Sequence, residues 1–232
     1  MQHSDTIYGS VVLDDIQKDL RYSEAVRNTA NIKALGLAIL VYSGASHTRE
    51  EHLIGTSILG SKFAEKLRID GIDKKTLEAA AILHDIGHLP FSHAASRYFK
   101  EKFGLEQETN AEYMILQDSN KEIRDILRSH RLDPTEVADL IAFKDYVKKS
   151  NGKKQFLKQL IAGDMDIDRM DFLMRDSLRT AVYGQGFDYQ RLLQCVFRDG
   201  DQMVFPYEAK TAIESFFSAY KNMYTAVYYN NR

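Results

Sequence analysis

The chain has 232 residues and a mass of 26.6 kDa, enough for one well-buried core. Its 31 Lys+Arg nearly balance 33 Asp+Glu, giving a net charge of −2 and a pI of about 6.4, so it lacks the basic footprint of a duplex nucleic-acid binder. The single cysteine, Cys195, excludes an intramolecular disulfide, and the longest apolar run, residues 35–42, is too short to span a bilayer. The N-terminus has no apolar signal core, so a cytoplasmic protein without a membrane partner is expected. With only three prolines and thirteen glycines, long linkers are not expected, and residues 1–232 read as one domain.

In chain order, residues 11–13 after Gly9 give a weak strand signal, and 14–42 carry apolar positions at mixed helical spacing. Thr48 to Glu51 fits a capping box that opens a helix to about Leu67, with His52, Thr56, Leu59, Phe63 and Leu67 on one face. The next helix is expected to start near Asp73 and end near His88, because Pro90 disfavours helical geometry at Leu89. Shorter helices are expected over about 93–103, 109–116 and 121–129, and Asp133-Pro134 opens another with proline at its first position. Residues 148–154 read as a solvated loop. One long helix is expected from about Gln155 to Asp176, placing Leu157, Ile161, Asp164, Asp168 and Phe172 on a shared face. Between Cys195 and Phe205 an Asp-Gly turn separates two apolar runs, a hairpin signal, and a last helix is expected over about 209–229. The fold class is all-α, a helical bundle with a minor β-hairpin.

The chemistry starts at His84-Asp85, near the end of the apolar run AAAILHDIGH. A carboxylate buried there without a partner would lose its hydration at high cost, and a metal ion removes that cost. Adjacent helical residues point about 100° apart, so both reach one ion only at the helix edge, and other helices must complete its shell. His52 and Asp168 lie on inward faces and can do so. Two imidazoles and two carboxylates form a mixed N/O set that suits Mn, Fe, Ni, Co or Zn.

The order H…HD…D resembles the HD phosphohydrolase superfamily. The words YSGASHTREEHLIGT around His52, ILHDIGHLPFSH around His84 and MDIDRMDFLMRDS around Asp168 resemble most closely its deoxynucleoside-triphosphate triphosphohydrolase branch (dGTPase and SAM-and-HD-domain type) with archaeal and bacterial relatives. That resemblance runs from Ile7 to the C-terminus and implies one divalent transition metal on His52, His84, Asp85 and Asp168. It further implies substrate contacts from Arg49, Arg169, Phe172 and Asp176, with His88 and His93 facing the scissile phosphate. The implied reaction converts a dNTP to deoxynucleoside plus triphosphate, one histidine protonating the leaving oxygen. An HD nucleotidase or phosphodiesterase acting on a smaller phosphate substrate, and a catalytically weak metal-binding, nucleotide-sensing module, stand as alternatives. The implied partner is a small phosphate-bearing molecule, a nucleotide in the leading reading, and the resemblance allows a homo-oligomer. Relatives often continue past the length of this chain.

The chain departs from that branch at several positions. Ala34 stands where a glutamine is usual, Thr29 lies where an arginine-rich segment is usual, and Ser96 replaces an aspartate. Gln107 replaces a histidine, and Tyr220 and Asn230 align with arginine and histidine. Simpler roles remain open for several candidates. Arg49 could pair with Glu50 or Glu51, Arg169 with Asp166 or Asp171, and Asp176 with Arg175 or Arg179. Phe172 could be core, and His88 and His93 could be structural. His47 reads as structural, His3 and His130 as solvent-exposed, and the tyrosines of 220–229 as core packing.

Overall fold

The computed structural model describes residues 1–91, 93–104, 107–117, 121–142, 154–182 and 186–229, with the side chains of 93–95, 107 and 108 outside that description. The chain is all-α, with two small antiparallel hairpins. The first hairpin pairs β1 (Gln2–Asp5) with β2 (Gly9–Val12), in the register Gln2↔Val12 to Asp5↔Gly9. Asp5 Oδ1 accepts from the backbone N–H of Ile7 (2.7 Å) and Tyr8 (3.1 Å), and Gly9 takes φ +71° to complete the turn. β1 gave no sequence signal because Gln-His-Ser-Asp lacks β-branched residues; its partner and its turn make it a strand.

The mixed spacing of 14–42 resolves into α1 (Asp15–Arg21), α2 (Glu24–Asn28) and two 3₁₀ turns, Thr29–Asn31 and Gly36–Leu40. α3 (Arg49–Lys66) opens with the expected capping box: Thr48 Oγ1 accepts from Glu51 N, and Glu51 accepts from Thr48 N. α4 (Gly71–Leu83) is the central helix, its residues 79–83 fully buried and its sides packed by α1, α3, α8 (Pro134–Ile141) and α9 (Gln155–Ala162). It starts after Asp70 rather than at Asp73 and ends at Leu83, short of His88. The sequence placed the stop by Pro90; the chain instead leaves the helix at His84, and residues 84–87 form a turn.

α5 (His93–Phe103), α6 (Gln107–Leu116) and α7 (Glu122–Ser129) follow, and Asp133 caps α8 with proline at its first turn. The single long helix expected from Gln155 is two, α9 and α10 (Ile167–Thr180). Gly163 is extended, with ψ −179°, and Asp166 caps α10 by accepting from Arg169 N at 2.7 Å. Asp164 consequently sits exposed in the connection instead of on a shared helical face. α11 (Tyr189–Cys195) leads into the second hairpin, β3 (Phe197–Asp199) with β4 (Gln202–Val204), turned at Gly200 with φ +57°. The expected last helix is α12 (Lys210–Met223), extended by a π-helical turn over Tyr224–Tyr228. Among the described residues no helix is long and apolar enough to cross a membrane.

Candidate metal centre and active site

Three parts of the fold converge on one point. His52 is on the buried face of the first turns of α3, His84 caps α4 with Asp85 just after it, and Asp168 is in the first turn of α10. His52 Nε2 lies 3.0 Å from Asp168 Oδ1, and His84 Nε2 lies 3.5 Å from the same oxygen. Asp85 completes the group, its Oδ1 3.8 Å from His84 Nε2 and its Oδ2 3.9 Å from His52 Nε2. Metal–ligand bonds of about 2.0–2.2 Å place neighbouring ligand atoms about 3 Å apart and opposite ones about 4 Å apart, the range seen here. The break after α9 positions Asp168, because it lets α10 start afresh against α3.

The chemistry of the donors fits a cation. His52 Nε2 and His84 Nε2 are buried and make no well-aligned hydrogen bond among the described residues, although Asp168 Oδ1 lies 3.0 and 3.5 Å from them. Their other ring nitrogens are anchored: His52 Nδ1 donates to Asp171 Oδ2 at 2.8 Å, and His84 Nδ1 to the carbonyl of Ala81 at 2.7 Å. An imidazole whose Nδ1 holds the proton presents Nε2 as a lone pair, the form that binds metal. Burial opposes charge on the His52 ring, but Asp168 and Asp171 outweigh it and push the imidazole up to about 10. Burial likewise opposes charge on His84, and Asp85 and Asp168 raise it regardless. Asp85 and Asp168, which burial would make neutral, are held below the usual carboxylate range by the histidines, with Arg49 also acting on Asp85. Carboxylates in this setting demand cationic neighbours, and a divalent ion meets that demand while leaving both imidazoles neutral.

Of the other candidates, Arg49 is buried and donates to Asp85 Oδ2 and to the carbonyl of Ala34 (3.3 Å). Its acidic neighbours are engaged elsewhere, Glu50 with Arg21 and Glu51 with Arg179. His88 is buried with Nε2 3.5 Å from Asp85 Oδ2. His93 opens α5, and its side chain lies outside the described residues, as do that of Gln107 and the whole of Asn230. Arg169 pairs with Asp166 and reaches the carbonyl of Gly163. Phe172 is half-buried, its ring edge-on to Tyr228 with centroids 6.0 Å apart. Asp176 bonds neither Arg175 nor Arg179; His47 Nε2 donates to its Oδ1 and the Tyr228 hydroxyl to its Oδ2, each at 2.7 Å. His47 is thus buried in the interior network.

Three expectations need correction or sharpening. His3 and His130 are not solvent-exposed: His3 Nδ1 accepts from Arg21 (3.0 Å), and His130 Nε2 donates to Asp19 (2.8 Å). The tyrosine tail is only partly core, since Tyr220, Tyr224 and Tyr228 stack in series while Tyr229 is 72% exposed. Asp171, Tyr8 and Arg175, which close around His52 from behind, carried no functional reading in the sequence. The one local hint was that Asp171 lies three residues after Asp168 on the same helix.

Residues 49–173 match the HD domain family model, more than half of the chain and the span that contains His52, His84, Asp85 and Asp168. The chain belongs to the HD domain family. It is 35% identical over 98% of its length to an uncharacterized protein of Mycoplasma pneumoniae and 34% identical over 97% to one of Methanocaldococcus jannaschii, covering 56% and 45% of those proteins. A deoxynucleoside triphosphate triphosphohydrolase SAMHD1 homolog of Dictyostelium discoideum is 27% identical over 87% of the chain and 40% of that protein. Among solved structures, a phosphohydrolase from Bacteroides thetaiotaomicron superimposes with a TM-score of 0.82 at 27% identity, over 99% of this chain and 55% of that one. The chain spans about half the length of curated relatives that it matches at more than 30% identity.

Proposed function

We propose that the chain is a metal-dependent phosphohydrolase that acts on nucleotides, in its most specific form converting a dNTP to deoxynucleoside and triphosphate. The observation that carries this reading is the clustering of His52 Nε2, His84 Nε2 and Asp85, with Asp168 Oδ1 3.0 and 3.5 Å from the two imidazole nitrogens, neither of which makes a well-aligned hydrogen bond among the described residues. A divalent ion on these four residues would neutralise phosphate charge and acidify water near neutral pH. Arg49, tied to Asp85 at the edge of the cluster, brings a permanent positive charge to the phosphate. Arg169, one residue after Asp168, is half-exposed and adds a second. Water attacks the α-phosphorus, the bond to the sugar oxygen breaks, and an imidazole protonates that oxygen; we assign this role to His93, with His88 next in line. Phe172 and Asp176 are assigned to the sugar side of the substrate. The names of the SAMHD1 relatives support the nucleotide reading.

A second reading, a nucleotidase or phosphodiesterase acting on a smaller phosphate, is favoured by Ala34, which meets Arg49 through its carbonyl and has only a methyl group to offer a nucleoside. Metal-loaded protein assayed against a panel of nucleotides separates the readings. Triphosphate release from dNTPs supports the first, and orthophosphate release or cleavage of a diester supports the second. Stoichiometric metal with no turnover of any nucleotide sinks both and leaves a binding module.

A further inference from the structure

Asp171 is fully buried on α10, behind His52 rather than among the candidate metal donors. A carboxylate offers about four acceptor positions, and here each is used. Oδ2 accepts from His52 Nδ1 (2.8 Å) and Arg175 Nε (3.0 Å), and Oδ1 accepts from Arg175 Nη2 (2.8 Å) and the Tyr8 hydroxyl (3.0 Å). An ionised carboxylate can only accept, so the proton on the His52 ring belongs at Nδ1 and the lone pair at Nε2. The four bonds also prevent the carboxylate from turning away, which fixes the plane of the His52 ring.

Arg175 is itself 1% exposed and continues outward, from Nη2 to Asp5 Oδ2 (3.1 Å) and from Nη1 to Thr6 Oγ1 (3.4 Å). The other oxygen of Asp5 closes the turn of the β1–β2 hairpin, so the same turn that presents Tyr8 also anchors Arg175. Gly55 makes room for the network on the α3 side. A Cβ there would fall 2.0 Å from Arg175 Nη2 and 2.3 Å from Asp171 Oδ1, which accounts for a glycine inside a helix where alanine would otherwise be preferred. Asp5, Tyr8 and Arg175 all lie outside residues 49–173, the span matched by the family.

We propose that Asp171 is a positioning residue for the metal ligand His52, and that the N-terminal hairpin, through Tyr8, Asp5 and the buried Arg175, holds Asp171 in that role. The proposal rests on the reading of His52 as a ligand. Its consequence is that a hairpin formed by the first residues of the chain sets the metal affinity of a centre built from α3, α4 and α10.

The test is a titration of metal-stripped protein with Mn²⁺ or Co²⁺ in competition with a chelating dye, with thermal unfolding in EDTA followed alongside. Asp171→Asn should weaken the Kd by 10–100-fold, the usual effect of removing the group that orients a ligating histidine. Tyr8→Phe, which keeps the ring and removes one hydrogen bond, should weaken it by about threefold to tenfold. Val137→Ala in α8, which removes core volume without touching this network, should lower thermal stability and leave the Kd at the parent value. A parent protein that binds neither ion overturns the metal centre and the proposal with it. A parent that binds tightly while both variants keep its Kd overturns the positioning role alone, whatever happens to their stability. If Asp171→Asn does not fold, Tyr8→Phe decides: a weakened Kd supports the proposal and an unchanged one overturns it.

Discussion

His84 and Asp85 are neighbours in the chain and serve the same point, which a continuous helix would make difficult because adjacent side chains diverge by about 100°. The helix ends at Leu83, and in the turn that follows His84 Nε2 lies 3.5 Å from Asp168 Oδ1 while Asp85 Oδ2 lies 3.9 Å from His52 Nε2. His84→Ala and Asp168→Ala should therefore each abolish metal binding, read by elemental analysis of purified protein; full occupancy in both would remove the assignment. His93→Ala should keep its metal and lose turnover by roughly 10²–10⁴-fold, the contribution of a general acid. Away from the site, Glu78 on α4 is pushed up to about 7 by burial, against a hydrogen bond from Ser61 (2.7 Å) that favours its charged form. Its folded pKa lies above the model-peptide value of 4.5, so the folded state binds the extra proton and this group's contribution is lost as pH rises from 4.5 through about 7. Glu78→Gln should accordingly raise stability relative to the parent at pH 8, by about 1–3 kcal/mol, and do little at pH 4.5. Urea unfolding at the two pH values checks this, and an equal change at both would show that Glu78 does not titrate as argued.

At the level of elements, the break between α9 and α10 is the feature that brings Asp168 to the site. Gly163 lets the chain leave α9 at close quarters: a Cβ there would lie 2.4 Å from the carbonyl oxygen of Gln159. Gly163→Ala must push that contact apart and should cost about 1–3 kcal/mol, the range of overpacked sites. Because α10 starts four residues later, the same variant should also weaken metal binding. Denaturant unfolding and metal titration together test this, and a variant as stable as the parent with unchanged affinity would show that the close approach relaxes freely.

The whole molecule is tied together at the candidate centre, because α3, the end of α4 and α10 each contribute donors to it. Unfolding separates these donors, so an ion that binds the folded chain stabilises it by mass action, by about 2.7 kcal/mol at a hundredfold excess over Kd. For a chain of this size that corresponds to about 5–10 °C in Tm. The parent should melt lower in EDTA than in Mn²⁺ by that amount, while Asp168→Ala should melt at the same temperature in both. Equal melting of the parent in the two buffers at saturating metal would count against the centre.

The signals legible in the sequence were local ones. The capping box at Thr48, the proline after Asp133, the Asp-Gly turn at Gly200 and the His84-Asp85 pair following an apolar run each follow from the chemistry of a few adjacent residues. Periodicity also put His52 on an inward face. What it could not provide was the partner of a buried charge. Asp171 could have served Arg169, but the tertiary structure gives it to His52, Arg175 and Tyr8, and it gives Asp176 to His47 and Tyr228 instead of to either nearby arginine. The strand β1, the ends of α4 and the break at Gly163 were likewise settled by packing. The physical reason is range: helical spacing reports which way a side chain faces over a few turns, whereas the Arg175–Asp5 contact joins residues 170 positions apart and exists only once the core has closed.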